Sequence, residues 1–455
     1  MFDVFRAMYK IILPIRYLVK RRITYFAVIS VCLCVFIVLV VMTVMAGLVD
    51  EFKQKNHQFA GDCVVGTKSL VGFAYYQEFV ELLEKTDFVE AVSAAIKSHA
   101  LISRMDSDRK TRVEIMGIDP AKHGRATGFG QSLHYHKDDV ARAFEPGYDP
   151  NLPGCILGID LELQRDADST YTYQTSPSRI GYSISCLPLT AKGAPAQAGT
   201  DMVDTKTFYY SDNSRTGLPR VDGSLVYLPF EQAQQLCMAG SVKRANAIHI
   251  KFKPNVRLEE GCAKVASLWE SFRQNKSGQE QAYLFETVTV QSWKGYRRES
   301  IAPMEQEQTV MSVMFGFVAI TTVFIVMVVF YMIISHKSKD IGILKSVGVS
   351  NFDVIELFSG FAFLVGLAGS GLGLLGGWVF LVEINQIEKW LFERFGFQLW
   401  DRTIYAIGDI PNRVELKVVA AILLSAIVAC LVGALVPSWQ AARQRPAAIL
   451  QVNQL

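Results

Sequence analysis

The apolar runs of this chain are unevenly spaced, and nothing else in it constrains the fold as much. One long run, Phe26 to Val49, is followed by about 260 mostly polar residues. Three more runs, Val310 to Ser335, Val354 to Val382 and Leu416 to Val436, then crowd into the last third. Each is long enough for the ~20 residues that cross a ~30 Å hydrocarbon core. The spacing predicts an α-helical membrane protein with four transmembrane helices and a large α+β extracytoplasmic domain between helices 1 and 2. The mean hydropathy of +0.22 conceals this division, because it averages an apolar part with a wet one.

Charge sets the orientation. The first 22 residues carry Arg6, Lys10, Arg16, Lys20, Arg21 and Arg22 against the single acid Asp3, which places the N-terminus in the cytoplasm. The large domain is then outside, and His336, Lys337, Lys339 and Lys345 fall in a short inside loop. The loop before the last span is acid-rich (Glu383, Glu388, Glu393, Asp401, Asp409, Glu415), as expected outside, and the basic tail with Arg443 and Arg445 returns inside. The first span is about twice the length of a signal-peptide core and has no clear cleavage site after it, so it reads as an uncleaved anchor. Aromatic and aliphatic residues interleaved with bases over 2–19, with Pro14 as a break, predict an interfacial amphipathic helix.

The expected divisions are a cytoplasmic N-terminal helix (1–22), span one (23–49), an extracytoplasmic domain with stalk ends (50–305) and span two (306–335). A cytoplasmic loop (336–353), span three (354–382), an extracytoplasmic loop (383–415), span four (416–436) and a cytoplasmic tail (437–455) follow.

Within the outer domain, period-two and period-3.6 patterns alternate. Strands are predicted over 112–118, 154–158, 225–228 and 247–252, and helices over 76–85, 231–238 and 258–272. The weakly patterned stretches 121–150 and 166–220 read as insertions or mobile loops. His123, His134 and His136 lie in the first of these. Without a carboxylate or cysteine cluster in the pattern they are expected as surface polar residues, not metal ligands. No nucleophile elbow appears, so no catalytic set can be assembled. The outer domain has an odd five cysteines, Cys63, Cys155, Cys186, Cys237 and Cys262, enough for up to two disulfides, while Cys32, Cys34 and Cys430 lie in spans.

Two patterns stand out in the membrane part. Gly369, Gly373 and Gly377 recur every four residues in span three, which lets two backbones approach closely in lipid. The stripe suits either a dimer or sliding interface or tight packing within the chain's own bundle. Few charges lie in the spans, which argues against an ion or proton pathway. The inside loop His336–Asp353 begins with charges and then sets Ile341, Leu344 and Val347 on one face of a short helix ending near Gly348. That face needs something to bury it, and a soluble partner is the expected occupant.

The loop resembles the coupling helix of ABC transporter permeases of the FtsX/MacB/LolC class, in Lys337, Asp340, Ile341, Ile343, Leu344, Lys345, Gly348 and Ser350. Ile15-Arg16-Tyr17-Leu18 before span one, the segment Val38 to Gly47, the run Val226 to Ala233, Ile404 to Ile407 with Ile410-Pro411, and Pro437 to Arg443 with Pro446-Ala447 are similar to that class as well. Within it the chain is most similar to the LolC/LolE-like lipoprotein-releasing permeases. The resemblance implies a MacB-like periplasmic core and a bacterial inner-membrane location with both termini cytoplasmic. It also implies a separate ABC ATPase subunit engaged through Lys337, Asp340, Ile341, Leu344, Lys345 and Val347, and a second permease chain in a homo- or heterodimer. ATP and Mg would sit on the ATPase subunit, since Gly-Lys-Ser/Thr occurs nowhere in this chain. The implied work is lipoprotein release towards a periplasmic carrier. The runner-up is mechanotransmission to an outside partner, as in efflux or cell-division branches. No cofactor, metal or nucleic acid is expected on the chain.

Overall fold

The computed structural model describes residues 22–107, 109–163, 171–174, 176–196, 203–336, 338–346, 348–396 and 409–443. The expected N-terminal helix, the Ile404–Ile407 motif and the end of the tail lie outside the described residues. The chain divides into two compact units: Met1–Asp50 with Met304–Trp400 and Asp409–Leu455, and Glu51–Pro303 with Asp401–Gly408. The chain leaves the first unit along α1 (Arg22–Ala60), which is helical on both sides of the boundary.

The outer unit is α+β. In chain order it contains β1 (Cys63–Thr67), β2 (Phe73–Ala74), α2 (Tyr76–Glu84), β3 (Val89–Arg104), β4 (Lys110–Ile118) and α3 (Pro120–Ala126). Then come β5 (Gly154–Gly158), β6 (Gly181–Cys186), β7 (Asp204–Ser214), β8 (Leu225–Pro229) and α4 (Phe230–Cys237). The last are β9 (Arg244–Ala245), β10 (Ala247–Phe252), α5 (Leu258–Asn275) and β11 (Val288–Ser292). The main sheet runs β11-β1-β10-β3-β4-β8-β5-β7-β6, with β2 and β9 paired separately.

The long strand β3 organises this sheet. Its N-terminal half pairs with β10, from Ala247 opposite Ala95 to Phe252 opposite Val89. Its C-terminal half pairs with β6, Ala100 opposite Cys186 through Arg104 opposite Tyr182, and so closes β3-β4-β8-β5-β7-β6 into a ring. Alternate residues point into the ring, as a two-residue period requires. Ala100 and Ile102, Val113 and Ile115, Cys155 and Leu157, Tyr182 and Ile184, Phe208 and Tyr210, and Val226 and Leu228 form one core. The other half of the sheet packs α2 and α5 through Phe79, Leu83, Val265, Trp269 and Phe272.

The stretches read as insertions are therefore part of the fold. Segment 166–220 supplies β6 and β7, and 121–150 contributes α3, Phe129, Leu133 and Ala143 to a buried cluster against Met116, Ile118 and Tyr227.

The helical unit holds α6 (Arg298–His336), α7 (Ser338–Ser346), α8 (Asn351–Phe395) and α9 (Leu416–Arg443) besides most of α1. Four of these helices are long and apolar enough to cross a membrane: α1, α6, α8 and α9. A helix satisfies its own backbone polar groups, which is the condition for crossing lipid. α8 has 45 residues, about 68 Å at 1.5 Å per residue, and continues past Val382 to Phe395, so the segment expected as an outer loop from 383 is at first helical. A capping box starts it: Ser350 Oγ accepts from the Asp353 N–H while the Asp353 carboxylate accepts from the Ser350 N–H. Gly396, at φ 63°, ends it. Pro303 does not interrupt α6, which is helical through it.

Candidate coupling site

α7 is short, and its attachment decides what it can do. Ile341 is 3% exposed and packs among Ile334 of α6, Val354, Leu357 and Phe358 of α8, and Ala441 and Ala442 of α9. Lys345 Nζ donates to the Ala442 carbonyl at 2.7 Å. The alanine pair leaves room for Ile341, and the ammonium meets a carbonyl of the last helical turn, where a cation is favoured. α7 is thus fastened to three of the long helices.

This corrects the expectation that Ile341 enters a groove on a soluble partner: its apolar surface is already covered by its own chain. Lys337 and Val347 lie outside the described residues, as do the side chains of Asp340 and Leu344. The outward apolar groups are Ile343, 54% exposed, and Phe352 on the first turn of α8, 73% exposed. Two residues apart in a helix is about 200° of rotation, so Ile341 and Ile343 face opposite ways. Ile343 belongs to the coupling motif in the sequence, but only the packing reveals that it faces out.

The glycine stripe of α8 lies against α1. A Cβ on Gly369 would sit 2.8 Å from Val31 Cβ, one on Gly373 2.6 Å from the Cys32 carbonyl oxygen, and one on Gly377 2.8 Å from Leu39 Cδ2. Val31, Val35 and Leu39 are the complementary stripe, also four residues apart and fully buried. This face therefore packs within the chain. At Gly371 a Cβ would meet nothing within 4 Å. Gly373→Leu is expected to destabilise the bundle by at least the roughly 1–3 kcal/mol typical of overpacking, and Gly371→Leu to leave it unchanged. Thermal unfolding of the two variants in detergent checks this, and equal melting temperatures would refute the seam.

In the outer unit, the end of α1 meets the start of α6. Arg297 Nε donates to Asn56 Oδ1 at 2.7 Å, its guanidinium lies 4.9 Å from the Phe59 ring centroid, and Asn56 Nδ2 donates to the Phe52 carbonyl at 2.9 Å. Burial lowers the Arg297 pKa, and this buried cation is held by the Asn56 amide oxygen and an aromatic face. Ile301 packs with Ala60, Val64 and Trp293 beside them.

The three loop histidines do not converge. His123 is buried, contrary to the surface expectation, with Nδ1 3.2 Å from Ser93 Oγ and its ring edge-on to His249. His136 lies 3.2 Å from Asp212 Oδ2, and His134 stacks on Tyr173. Asp212 is a scaffold: it accepts from the backbone N–H groups of His134, Tyr135 and His136 and pins the loop to β7.

Residues 312–446 match the family model described as FtsX-like permease C-terminal, a range that takes in α7, the glycine stripe and α9. The chain carries an FtsX-like permease domain. It is 24% identical over 444 residues to the lipoprotein-releasing system transmembrane protein LolC of Xylella fastidiosa (strain 9a5c), covering 96% of this permease and 97% of that protein. It is 22% identical to the LolC of Neisseria meningitidis serogroup B, covering 94% of each. Among solved structures, the periplasmic region of MacB from Actinobacillus actinomycetemcomitans is similar at 10% identity and a TM-score of 0.31, over 53% of this permease and 92% of that chain. The extracellular domain of the ABC-type transporter YknZ from Gram-positive bacteria is similar at 12% identity and a TM-score of 0.29, over 51% and 98%. The permease is a membrane-spanning subunit of the ABC transporter type.

Proposed function

We propose that this permease works in a bacterial inner membrane with a cytoplasmic ATPase subunit and a second permease chain, and that it releases lipoproteins from the outer leaflet. The observation that carries this reading is α7: a short helix locked to its own bundle by Ile341 and Lys345, with Ile343 and Phe352 turned outward. Closure of ATP-loaded subunits against that outward face would load α6, α8 and α9 together, because α7 cannot move without them. α1 and α6 are each one continuous helix from membrane segment to outer unit. The Asn56–Arg297 pair ties the two chain passages together there. The near full-length similarity to proteins named as lipoprotein-releasing supports the substrate class.

Native pulldown of the permease from membranes, with mass spectrometry of what accompanies it, tests this. An ATPase subunit, a second permease and lipoproteins are expected, and depletion of the permease should retain lipoproteins in the inner membrane. The continuous helices also suit mechanotransmission to an outside partner. An ATPase with an envelope protein, but no lipoprotein in the pulldown or retained on depletion, would replace the first reading with that one.

Orientation has its own test. Lys253 and Ser346 are exposed. Lys253→Cys should react with a membrane-impermeant maleimide from outside the inner membrane, and Ser346→Cys only after the membrane is opened. The reverse pattern would overturn the arrangement.

A further inference from the structure

Four of the five outer-domain cysteines fall into two groups of two, one in direct contact and one sharing a core cluster. Cys186, the last residue of β6, and Cys237, the last of α4, are buried with their sulfurs 3.2 Å apart. The backbone holds them there: the Leu189 N–H donates to the Cys237 carbonyl at 3.1 Å and the Ala239 N–H to the Leu189 carbonyl at 2.9 Å. Cys63, opening β1, lies in the apolar cluster against which Cys262 of α5 packs. Cys155 is buried on β5.

One contacting thiol pair and a second pair gathered in one core cluster are the arrangement from which a disulfide framework forms, in oxidising compartments and not in the cytoplasm. We propose that the outer unit is closed by two disulfides, Cys186–Cys237 and Cys63–Cys262, with Cys155 left as a buried thiol. This rests on the outward orientation proposed above. The first bond would tie β6 of the closed ring to the end of α4, and the second would tie β1 to α5 across the other core.

The oxidant is a dithiol–disulfide exchange protein of the cell envelope in its disulfide form. The Cys186 thiolate attacks one donor sulfur, forming a mixed disulfide and expelling the other donor sulfur as a thiolate. The Cys237 thiolate then attacks Cys186 Sγ, closing the internal bond and releasing the first donor sulfur. Two electrons pass to the donor, and the two cysteine protons end on its two thiols. Cys63 and Cys262 close in the same way. Cys63, Cys186 and Cys237 are buried in the folded domain and Cys262 is half-buried, so exchange takes place while the chain folds, and the finished bonds resist reductant until the domain is denatured.

The test uses the full chain in intact cells. Thiols are quenched in acid, the chain is denatured, and a polyethylene-glycol maleimide reports each free cysteine as a gel shift. Four additions are expected without reductant, and all eight cysteines should react after reduction. The double variant Cys186→Ser/Cys237→Ser should still show four. Non-reduced peptide maps of the wild-type chain, which need no variant to fold, should contain the 186–237 and 63–262 linkages. Eight additions without reductant, in cells where Lys253→Cys is labelled from outside, would overturn the pairing while the orientation stands. Eight additions with Lys253→Cys unlabelled would overturn it through the orientation. A linkage to Cys155 would overturn the assignment of partners.

Discussion

Replacing Ile343 by Asp should abolish co-purification of the ATPase subunit and its stimulated turnover, while the permease still inserts and its outer domain still folds. The side chain is exposed on α7, so the free permease loses little. In the complex the substitution forfeits roughly 1.5–3 kcal/mol of apolar burial and leaves an unpaired carboxylate in the contact. A combined loss of about 3–5 kcal/mol is roughly two to three and a half decades in affinity, enough to dissolve a modest interface. Phe352→Asp should act in the same direction.

Ile341→Asp should fail differently. That side chain is enclosed by α6, α8 and α9, so a carboxylate there detaches α7 from the bundle and destabilises the permease itself. Ile341→Val, at about 0.5–1.5 kcal/mol, should keep both fold and partner. A permease carrying Ile343→Asp with its full complement of ATPase and normal turnover would show that the outward face of α7 is not the contact.

The contrast between these two isoleucines marks how far the sequence could be read. A nine-residue helix with apolar residues at 341, 343 and 344 has more than one apolar side. Which side the chain covers depends on the small residues Ala441 and Ala442, nearly a hundred positions away. The glycine stripe has the same character: its spacing is plain, yet its mate, Val31, Val35 and Leu39, is an ordinary run within a span that is apolar all round.

The spans themselves were legible because length and hydropathy suffice for them. β10 was legible because Ile248, Ile250 and Phe252 alternate with polar residues. β7 was not, because Ser211, Asp212, Asn213 and Ser214 read as a turn, although all four are buried. Asp212 is there to bind the N–H groups of a neighbouring loop, so tertiary hydrogen bonds override the local preference. β6 was hidden by its surroundings: Tyr182, Ile184 and Cys186 do alternate, but inside a stretch whose Ser, Thr, Pro and Gly content argues for loop.

Acid should weaken the outer unit in a window set by two buried histidines. His249 donates from Nδ1 to the Ala60 carbonyl at 2.8 Å, while its Nε2 is buried without a hydrogen-bond partner. His123 lies edge-on to it, 5.3 Å between ring centroids. Burial, then the nearby Lys97 ammonium, pushes His249 down to about 3. Burial, then His249 and Lys97, holds His123 well below the ordinary histidine value. Folded, both rings stay neutral; unfolded, each takes up a proton near pH 6.5.

Below that pH the unfolded chain binds more protons, so stability falls as pH falls, and for His249 the loss continues until its folded value near 3 is reached. At pH 5 the cost from His249 is about 2 kcal/mol, and His123 adds to it in the same direction. For a unit of this size the His249 share alone lowers the melting temperature by roughly 4–8 °C. His249→Asn retains a donor for the Ala60 carbonyl but cannot titrate, so the shift between pH 7.5 and pH 5 should shrink by roughly 4–8 °C. Comparing variant with wild type cancels the carboxylates that titrate lower in the same range. Tryptophan fluorescence melts of the full permease in detergent read the result, since Trp269 and Trp293 are buried in this unit. An identical acid shift in wild type and His249→Asn would mean that His249 takes up its proton in the folded domain, and the tie between β10 and the end of α1 would then have to admit a charge.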